Sequence, residues 1–213
     1  MEITYLGHSS FKLRGKNAIV VTDPFDPKFV GLKFPKIPAD IVTISHEHHD
    51  HNFREAVDGT PVIVSGAGEY EVKGIKIIGI DTFHDASLGS ERGGNTIYRI
   101  EMDGISLVHC GDLGHKLTEA QLDTIGDVGI LMIPVGGYFT LDAALASEVV
   151  SQITPKIIIP MHYKRDGLTK DFDVLSTLDL FLKEMGKEGI TPVPKLTVSQ
   201  DKLPTETTVV VLS

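Results

Sequence analysis

Four of the nine histidines of this chain lie within seven residues, in the run S-H-E-H-H-D-H from Ser45 to His51. Neutral imidazole and carboxylate groups are good ligands for zinc, manganese and iron ions. His46 and His48 stand two residues apart, so in a loop that leaves a strand both side chains can turn toward one ion. Asp50 and His51 lie further along and could face a second ion. The run therefore predicts part of a metal site, which other parts of the chain must complete.

A pair of ions would give this run its chemistry. Two close cations lower the pKa of a bound water toward about 7, so hydroxide becomes available at neutral pH. The same ions polarise a carbonyl or phosphoryl oxygen and stabilise the negative charge that develops on it. Asp50 could orient the hydroxide and later carry a proton, besides binding metal. The alternative interpretation is a solvated polar loop with structurally bonded histidines, which the H-x-H-x-D-H spacing disfavours.

A strand must carry this run to its place, and the segment A-D-I-V-T-I-S at 39–45 has the apolar, β-branched character of a buried strand. A loop is expected from Asp23 to Pro38 and a short helix from Asn52 to Val57. The other predicted strands are 3–6, 11–14, 18–22, 61–65, a hairpin over 69–80, 96–102, 105–109, 128–133, 156–160 and 207–212. Helix patterns occupy 118–124, 142–152 and 173–185. Many strands with a few helices predict sheets packed together with helices outside.

Length and composition agree with a soluble globular protein. The chain has 213 residues, of which 41% are apolar and 23% charged, and one hydrophobic core can serve it. No repeat or linker divides it, so a single domain over residues 1–213 is predicted. No apolar run reaches the roughly 20 residues of a membrane helix, and the first residues do not resemble a signal peptide. A membrane is therefore not an expected partner.

Charge and cysteine content narrow the partners and the compartment. Lysine and arginine number 20 against 29 aspartates and glutamates, which gives a net charge of −9. An acidic surface repels a polyanion, so nucleic acid is not an expected partner. The lone Cys110 cannot form an internal disulfide, which fits a reducing, cytoplasmic location. The expected partner is a small-molecule substrate, and the sequence leaves open whether the protein is a homo-oligomer.

H-x-H-x-D-H after a buried strand resembles the signature of the metallo-β-lactamase superfamily, and the resemblance spans almost the entire chain. It implies an α+β fold, a four-layer αβ/βα sandwich of two mixed sheets with helices outside and two metal ions at one edge. G-H-S-S-F at 7–11, G-N-T-I-Y at 94–98 and P-V-G-G-Y-F-T-L-D-A-A at 134–144 resemble one compact branch of that family. That branch includes ascorbate-6-phosphate lactonase-like proteins and zinc-dependent hydrolases.

The resemblance also implies the rest of the ligand set. His84 in F-H-D stands at the place of the third ligand to the first ion. Asp112 in H-C-G-D-L matches the aspartate that bridges both ions, and His162 in I-P-M-H-Y matches the last ligand to the second ion. Asp23 in V-T-D-P-F matches an aspartate that supports the metal loop without binding metal. The implied ligands are His46, His48 and His84 for the first ion, Asp50, His51 and His162 for the second, and Asp112 for both.

The implied cofactor is therefore two divalent metal ions, with zinc expected first and manganese or iron as alternatives. Three residues are candidates for a part in catalysis: Asp50, His8 after the first strand, and His115 just after Asp112. For His8 and His115, contact with the ligands or the substrate stands against a structural hydrogen bond. His49 fills the variable position of the motif and is predicted not to bind metal.

Two basic residues follow His162. Lys164 and Arg165 could meet an anionic group of the substrate, and a solvated basic turn is the alternative interpretation.

The predicted function is a metal-dependent hydrolase that attacks an ester, lactone, amide or phosphodiester of a small molecule. The alternatives are a nuclease or phosphodiesterase acting on nucleic acid, a di-iron redox enzyme, and a non-catalytic metal-binding protein. Superfamily nucleases carry an added domain or RNA-binding arm, which the length and charge of this chain disfavour. Di-iron relatives usually have glutamate at the place of His48 and an added flavin domain.

Overall fold

The first sheet is built from the strand-rich N-terminal part of the chain. The structure is a computed structural model that describes residues 1–213 without a gap. Within this sheet β3, β5 and β7 run parallel, and β1, β2 and β14 pair antiparallel. The strands, in spatial order, are Leu196–Thr197 (β14), Glu2–Gly7 (β1), Ser10–Arg14 (β2), Ile19–Thr22 (β3), Ile41–Ile44 (β5) and Val62–Ser65 (β7). The two-residue strands Ile37–Pro38 (β4) and Val57–Asp58 (β6) pair beside it.

The second sheet has seven strands. They are, in spatial order, Thr208–Val209 (β15), Ile157–Met161 (β13), Ile130–Pro134 (β12), Ile105–His109 (β11), Gly94–Met102 (β10), Ile75–Phe83 (β9) and Gly68–Val72 (β8). Strands β11, β12, β13 and β15 are parallel, whereas β8, β9, β10 and β11 form an antiparallel meander. Because β9 lies two antiparallel steps from β11, the strands β9, β11 and β13 all end at one edge.

The two sheets pack face to face around a core of 44 buried residues. Val20 and Ile41 point into this core, while their chain neighbours Val21 and Val42 face a small cluster on the outer side of the first sheet. Every residue of β12 and β13 is buried, as expected for parallel strands covered on both faces. The covering helices contribute buried residues to the same core and span Glu119–Ile125 (α2), Ala143–Ile153 (α3) and Leu178–Glu184 (α4).

The predicted α+β sandwich of two mixed sheets is confirmed, and most element positions agree with the sequence patterns. Helices α2 and α3 begin after the N-caps Thr118 and Asp142, whose side chains accept hydrogen bonds from backbone amides in the first turn. The hairpin over 69–80 turns at Gly74, between β8 and β9. No helix of the structure is long and apolar enough to cross a bilayer.

Three local predictions were wrong. The helix expected over 173–185 begins only at Leu178, because the preceding backbone pairs elsewhere: the Lys164 amide donates to the Ser176 carbonyl and the Ser176 amide to Gly136. The expected helix at Asn52–Val57 is one 3₁₀ turn, and the strand over 207–212 pairs with β13 only at Thr208–Val209.

The loop expected over 23–38 contains a single helical turn, Pro27–Val30 (α1). Asp26 caps this turn by accepting the Lys28 amide at 2.8 Å, and Gly31 ends it with φ of 94°. Phe29 and Val30 are thereby fixed in a segment that the sequence pattern left without structure.

Candidate metal centre

Four strand ends deliver the implied ligands to one edge of the sandwich. The run 46–51 follows β5, His84 follows β9, Asp112 follows β11 and His162 follows β13. A Thr96 amide donates to the Ser45 carbonyl at 2.9 Å and so ties the second sheet to the end of β5. The two sheets are thus held together where the ligands meet.

The donor atoms form three overlapping groups, and within each group they lie within 4.8 Å of one another. The first comprises His46, His48 and His84, the second comprises His8, Asp50, His51 and His162, and the third joins His46 and His51 to Asp112. Asp112 thus lies between the first two groups. Its Oδ2 is 3.2 Å from Nε2 of His84, 3.2 Å from Nε2 of His162 and 3.3 Å from Nε2 of His51. The structure therefore brings together all seven implied ligands and adds His8 to them.

Several buried polar atoms of this cluster lack hydrogen-bond partners. Buried polar groups nearly always have a hydrogen bond, yet seven buried nitrogen and oxygen atoms have none here. They are Nδ1 of His8, Nε2 of His46, Nε2 of His51, Nδ1 of His84, Oδ1 of Asp112 and both ring nitrogens of His162. Imidazole and carboxylate donors of this kind fit zinc, manganese or iron. The residues present therefore fit a bound divalent metal.

Asp23 lies behind the ligand loop and fixes its geometry. Its Oδ1 accepts the Ser45 amide at 2.8 Å and its Oδ2 accepts the Ser45 hydroxyl at 2.5 Å. Oδ2 also lies 2.8 Å from Nδ1 of His51. Donation from Nδ1 to a carboxylate leaves the Nε2 lone pair of His51 free for a metal. Asp23 thus supports the loop from behind, as the resemblance implies.

His8 supports the second group in a similar way. Its Nε2 lies 3.0 Å from Oδ2 of Asp50, and His8 is buried, with 1% of its surface exposed. Burial lowers the pKa of His8 to about 4, so the ring is neutral at pH 7 and donates one hydrogen bond from Nε2 to the Asp50 carboxylate. His8 therefore orients Asp50, which answers the question that the sequence left open.

Burial and mutual charge set the protonation of the ligands. Burial lowers the pKa of His46 to about 3, so this imidazole is neutral and can bind metal. Burial alone would raise the pKa of Asp112, but His162 and His51 hold it well below the ordinary range. Burial opposes a charged His51, but Asp112 and Asp50 raise its pKa well above the ordinary value. The buried carboxylates are thus ionised and attract positive charge.

The position of Asp112 depends on Asn95 and Gly111. The Asn95 side chain accepts the Asp112 amide at 2.9 Å and donates to the Cys110 carbonyl at 2.9 Å. Gly111 has φ of 55°, and a Cβ there would lie 2.3 Å from Oδ1 of Asn95. Only glycine allows this close approach. Asn95 therefore positions the aspartate.

Three of the eight residues other than glycine that have positive φ lie at the same edge. His8, Asp23 and His162 have φ of 54°, 40° and 52°, in the left-handed region that residues other than glycine rarely adopt. The His162 amide donates to the His8 carbonyl at 2.9 Å, which holds two of these residues against each other. Such conformations persist where the surroundings fix them, and they cluster at functional sites.

His115 does not reach the cluster. Its Nε2 accepts the Phe83 amide at 3.0 Å and its Nδ1 lies 2.7 Å from the Lys116 carbonyl, so both ring nitrogens bind the main chain. The catalytic role considered for His115 is therefore corrected to a structural one. The prediction relied on the closeness of His115 to Asp112 in the sequence. The turn at Gly114 instead carries the His115 ring toward the end of β9.

Lys164 and Arg165 also lie outside the cluster. The Lys164 ammonium donates to the Asp173 carbonyl at 2.9 Å, and the Arg165 guanidinium lies 5.6 Å from the centre of the Tyr5 ring. Their contacts agree with the basic-turn interpretation.

A cavity of about 430 Å³ opens over the ligands, a size common for small-molecule sites. His48, Asp50, His84, Asp112 and His162 form its floor. Its wall includes residues that the sequence did not single out: Phe29, Arg92, Phe139, Asp171 and Phe172. No spacing signal marks these residues, since they come from separate loops that meet only in the fold.

The chain is similar in sequence to known proteins. Residues 2–162 match the β-lactamase superfamily domain. A protein of Thermococcus onnurineus named as a metal-dependent hydrolase is 29% identical over 192 residues, covering 76% of this chain and 84% of the relative. One of Pelotomaculum thermopropionicum with the same name is 30% identical and covers 76% of this chain and 84% of the relative.

A solved structure shares the whole fold. It is a Thermotoga maritima protein described as a Zn-dependent hydrolase of the metallo-β-lactamase superfamily. Its sequence is 38% identical and the TM-score is 0.81, over 99% of this chain and 97% of the other.

Proposed function

Since the chain belongs to the β-lactamase superfamily and is a metal-dependent hydrolase, we propose that two divalent ions bind its centre and that it hydrolyses a small molecule. The bond cleaved is an ester, lactone, amide or phosphodiester. The observation that carries the proposal is the Asp112 carboxylate, whose Oδ2 lies 3.2 Å from a ring nitrogen of each of the first two donor groups, on His84 and His162. A small-molecule substrate is supported by the cavity of about 430 Å³.

The first two donor groups support one ion each. His46, His48 and His84 would hold one ion, Asp50, His51 and His162 the other, and Asp112 would reach both. Bound divalent ions supply hydroxide at neutral pH and polarise the carbonyl or phosphoryl oxygen that is attacked. Zinc is the expected metal, with manganese and iron as alternatives, because the donors are imidazoles and carboxylates.

The side chains of the protein prepare the reaction. Asp23 holds His51 in the tautomer that presents Nε2, and His8 holds Oδ2 of Asp50 at 3.0 Å. Oδ1 of Asp50 makes no hydrogen bond within the chain, and Asp50 lines the cavity. Asp50 can therefore accept a proton on Oδ1 and return it to the leaving group. The hydrophobic wall limits the water around the bond that breaks.

Two neighbouring histidines give a matched test. His48 belongs to the first donor group, whereas His49 lies outside all three groups, with its ring 5.7 Å from that of Phe29. Ions per chain and turnover are measured after loading with zinc or manganese, on a panel of esters, lactones and phosphodiesters. His48→Ala should lose an ion and turnover together, and His49→Ala should keep its metal.

The outcomes separate the interpretations. Turnover that survives chelation of the metal, or in His48→Ala without its ion, contradicts the proposal. A fully loaded protein that hydrolyses no compound of the panel supports the non-catalytic alternative. Cleavage of nucleic acid with steep salt dependence would support the nuclease instead.

A further inference from the structure

Three phenylalanines form one wall of the cavity above the ligands. The ring of Phe172 lies 5.9 Å from that of Phe29 and 6.4 Å from that of Phe139, both in edge-to-face orientation. Phe29 comes from α1, Phe172 from the 3₁₀ turn before α4, and Phe139 from the loop after β12. These contacts make a continuous apolar surface beside the ions' ligands, suited to the hydrocarbon part of a substrate.

Arg92 continues this wall and is the one lysine or arginine that lines the cavity. Its guanidinium carbon lies 5.9 Å from the centre of the Phe139 ring, a cation–π arrangement that holds the planar group in place. The side chain is 31% exposed, and its one ion pair, with the exposed Glu91, has an N–O distance of 3.6 Å. No guanidinium nitrogen donates a hydrogen bond within the chain. Arg92 thus presents unused donors at the mouth of the cavity.

The backbone that carries Arg92 is fixed by Asp85. The Asp85 carboxylate accepts four backbone amides, at 2.8 Å from Ser87, 2.9 Å from Gly89, 3.1 Å from Glu91 and 2.8 Å from Arg92. Asp85 directly follows the ligand His84. The position of Arg92 is therefore tied to the metal centre by a short, fully bonded loop, which limits the entropy lost when it binds a ligand.

The other charges of the cavity wall do not oppose an anion strongly. Glu47 is already engaged, since its carboxylate accepts Arg54 at 2.8 Å and Asn52 at 2.9 Å. Asp171 is exposed to solvent, where salt screens its charge. Arg92 is more shielded, and its planar fork matches the two oxygens of a carboxylate or phosphate.

We propose that this wall selects substrates that join an apolar body to an anionic carboxylate or phosphate group, with the body on Phe29, Phe139 and Phe172 and the anion on Arg92. The inference deepens the proposed hydrolase function and rests on it, because the bound molecule is a substrate only when the protein hydrolyses it. Recognition of the anion itself is a binding property that needs no turnover.

A pair of probes that differ only in charge tests the inference. Titration calorimetry measures the affinity of 3-phenylpropionate and of the neutral 3-phenylpropanamide for the zinc-loaded protein and for the zinc-free protein. Arg92→Ala should lower the ratio of carboxylate to amide affinity by about tenfold, the amount that a charge-assisted hydrogen bond provides. Arg92→Lys should lower it by less, because the charge remains without the fork.

Arg14→Ala provides the matched control, since Arg14 is an exposed arginine at the end of β2 that does not line the cavity. It should leave the ratio unchanged. An unchanged ratio in Arg92→Ala, or an equal loss in Arg14→Ala, overturns the inference.

The two proposals fail in different ways. If the ratio depends on Arg92 in a protein that hydrolyses no compound of the panel, the anion site stands and the hydrolase proposal falls. If the protein is an active hydrolase and Arg92→Ala leaves the ratio of carboxylate to amide affinity unchanged, the hydrolase proposal stands and the anion site falls.

Discussion

The floor and the wall of the cavity are built on different principles. The floor consists of ligands at strand ends, of which His51 is held from behind by Asp23 and Asp50 by His8. The wall consists of side chains from separate segments that contact one another, such as Phe29 of α1, Phe172 of a 3₁₀ turn, and Arg92 and Phe139 of loops. Under the proposed function the floor determines the reaction type, and under the proposed anion site the wall determines the substrate. Loops can change without disturbing the strands that carry the floor.

The largest effect is expected from Asp112, because it joins the two donor groups of the floor. Asp112→Ala removes the ionised carboxylate whose Oδ2 lies 3.2 Å from Nε2 of His84 and of His162. The variant should lose both ions and all turnover, as measured by elemental analysis after dialysis and by the ester panel. A variant that keeps both ions and its turnover would refute the role of Asp112 as the residue that joins the two donor groups.

A smaller effect on the floor is expected from His8, which holds Asp50 at 3.0 Å without being an implied ligand. His8→Ala should weaken the affinity for the second ion by about 10–100-fold, as loss of a supporting partner does, and leave the first ion in place. Competition with a chelator measures both affinities. Ser9→Ala is the neighbouring control, because the Ser9 hydroxyl has no partner. An equal loss of affinity for both ions would show that His8 acts on the fold and not on Asp50.

Low pH should affect the metal ligands of the floor and the Arg92 loop of the wall at different pH values. Burial opposes the charge on His51, but Asp112 and Asp50 raise its pKa. A metal ion must therefore displace a proton from His51, so metal affinity falls as the pH drops below that pKa. Burial likewise opposes the ionised Asp85, but four amides lower its pKa from 3.8 to about 2. Its contribution to the loop is therefore present above pH 3.8 and lost only as the pH falls toward about 2.

The expected order is metal release first and loop opening second. Dialysis from pH 7 down to about pH 2, the pKa of Asp85, gives the ions per chain, and hydrogen exchange of the Gly89 and Arg92 amides over the same range reports the loop. Loss of amide protection at a higher pH than metal release would contradict the assignment.

Asp85→Ala should disturb the wall while sparing the floor. The four amides lose their acceptor, so Arg92 is no longer held over Phe139. The ratio of 3-phenylpropionate to 3-phenylpropanamide affinity should fall severalfold, by less than in Arg92→Ala, with both ions retained. Asp81→Ala, an exposed aspartate on β9, is the control. Loss of metal in Asp85→Ala would mean that floor and wall are not separable.

The smallest effect is expected at His115. His115→Ala leaves the Phe83 amide without its acceptor and should cost about 1 kcal/mol of unfolding free energy, measured by denaturant titration. Ions per chain and turnover should not change. A clear fall in turnover at full metal occupancy would restore the catalytic role that the structure corrects.

The same contrast explains what the sequence could predict. A metal site after β5 follows from a local pattern, because the buried strand and the motif after it are contiguous. The superfamily, the four-layer sandwich and the ligands His84, Asp112 and His162 follow from the resemblance that this motif carries. The superfamily resemblance is confirmed, and the likeness to ascorbate-6-phosphate lactonases and the individual ligand roles stay predictions.

The wall could not be predicted in this way. Phe29, Arg92, Phe139 and Phe172 belong to loops whose meeting depends on tertiary contacts, and single aromatic or basic residues carry no spacing signal. The helix expected over 173–185 failed for the same reason: the backbone at Ser176 pairs with Gly136, far away in the chain. Proximity in sequence also misplaced His115, whose ring turns to the main chain of Phe83 and Lys116.

The central claim is that two ions share Asp112. Crystals of the zinc-loaded protein, measured at the zinc absorption edge, locate the ions directly by anomalous scattering. The account predicts two peaks in each chain, one among His46, His48 and His84 and one among Asp50, His51 and His162, both in contact with the Asp112 carboxylate. A single peak, or two peaks of which one does not touch Asp112, would contradict it.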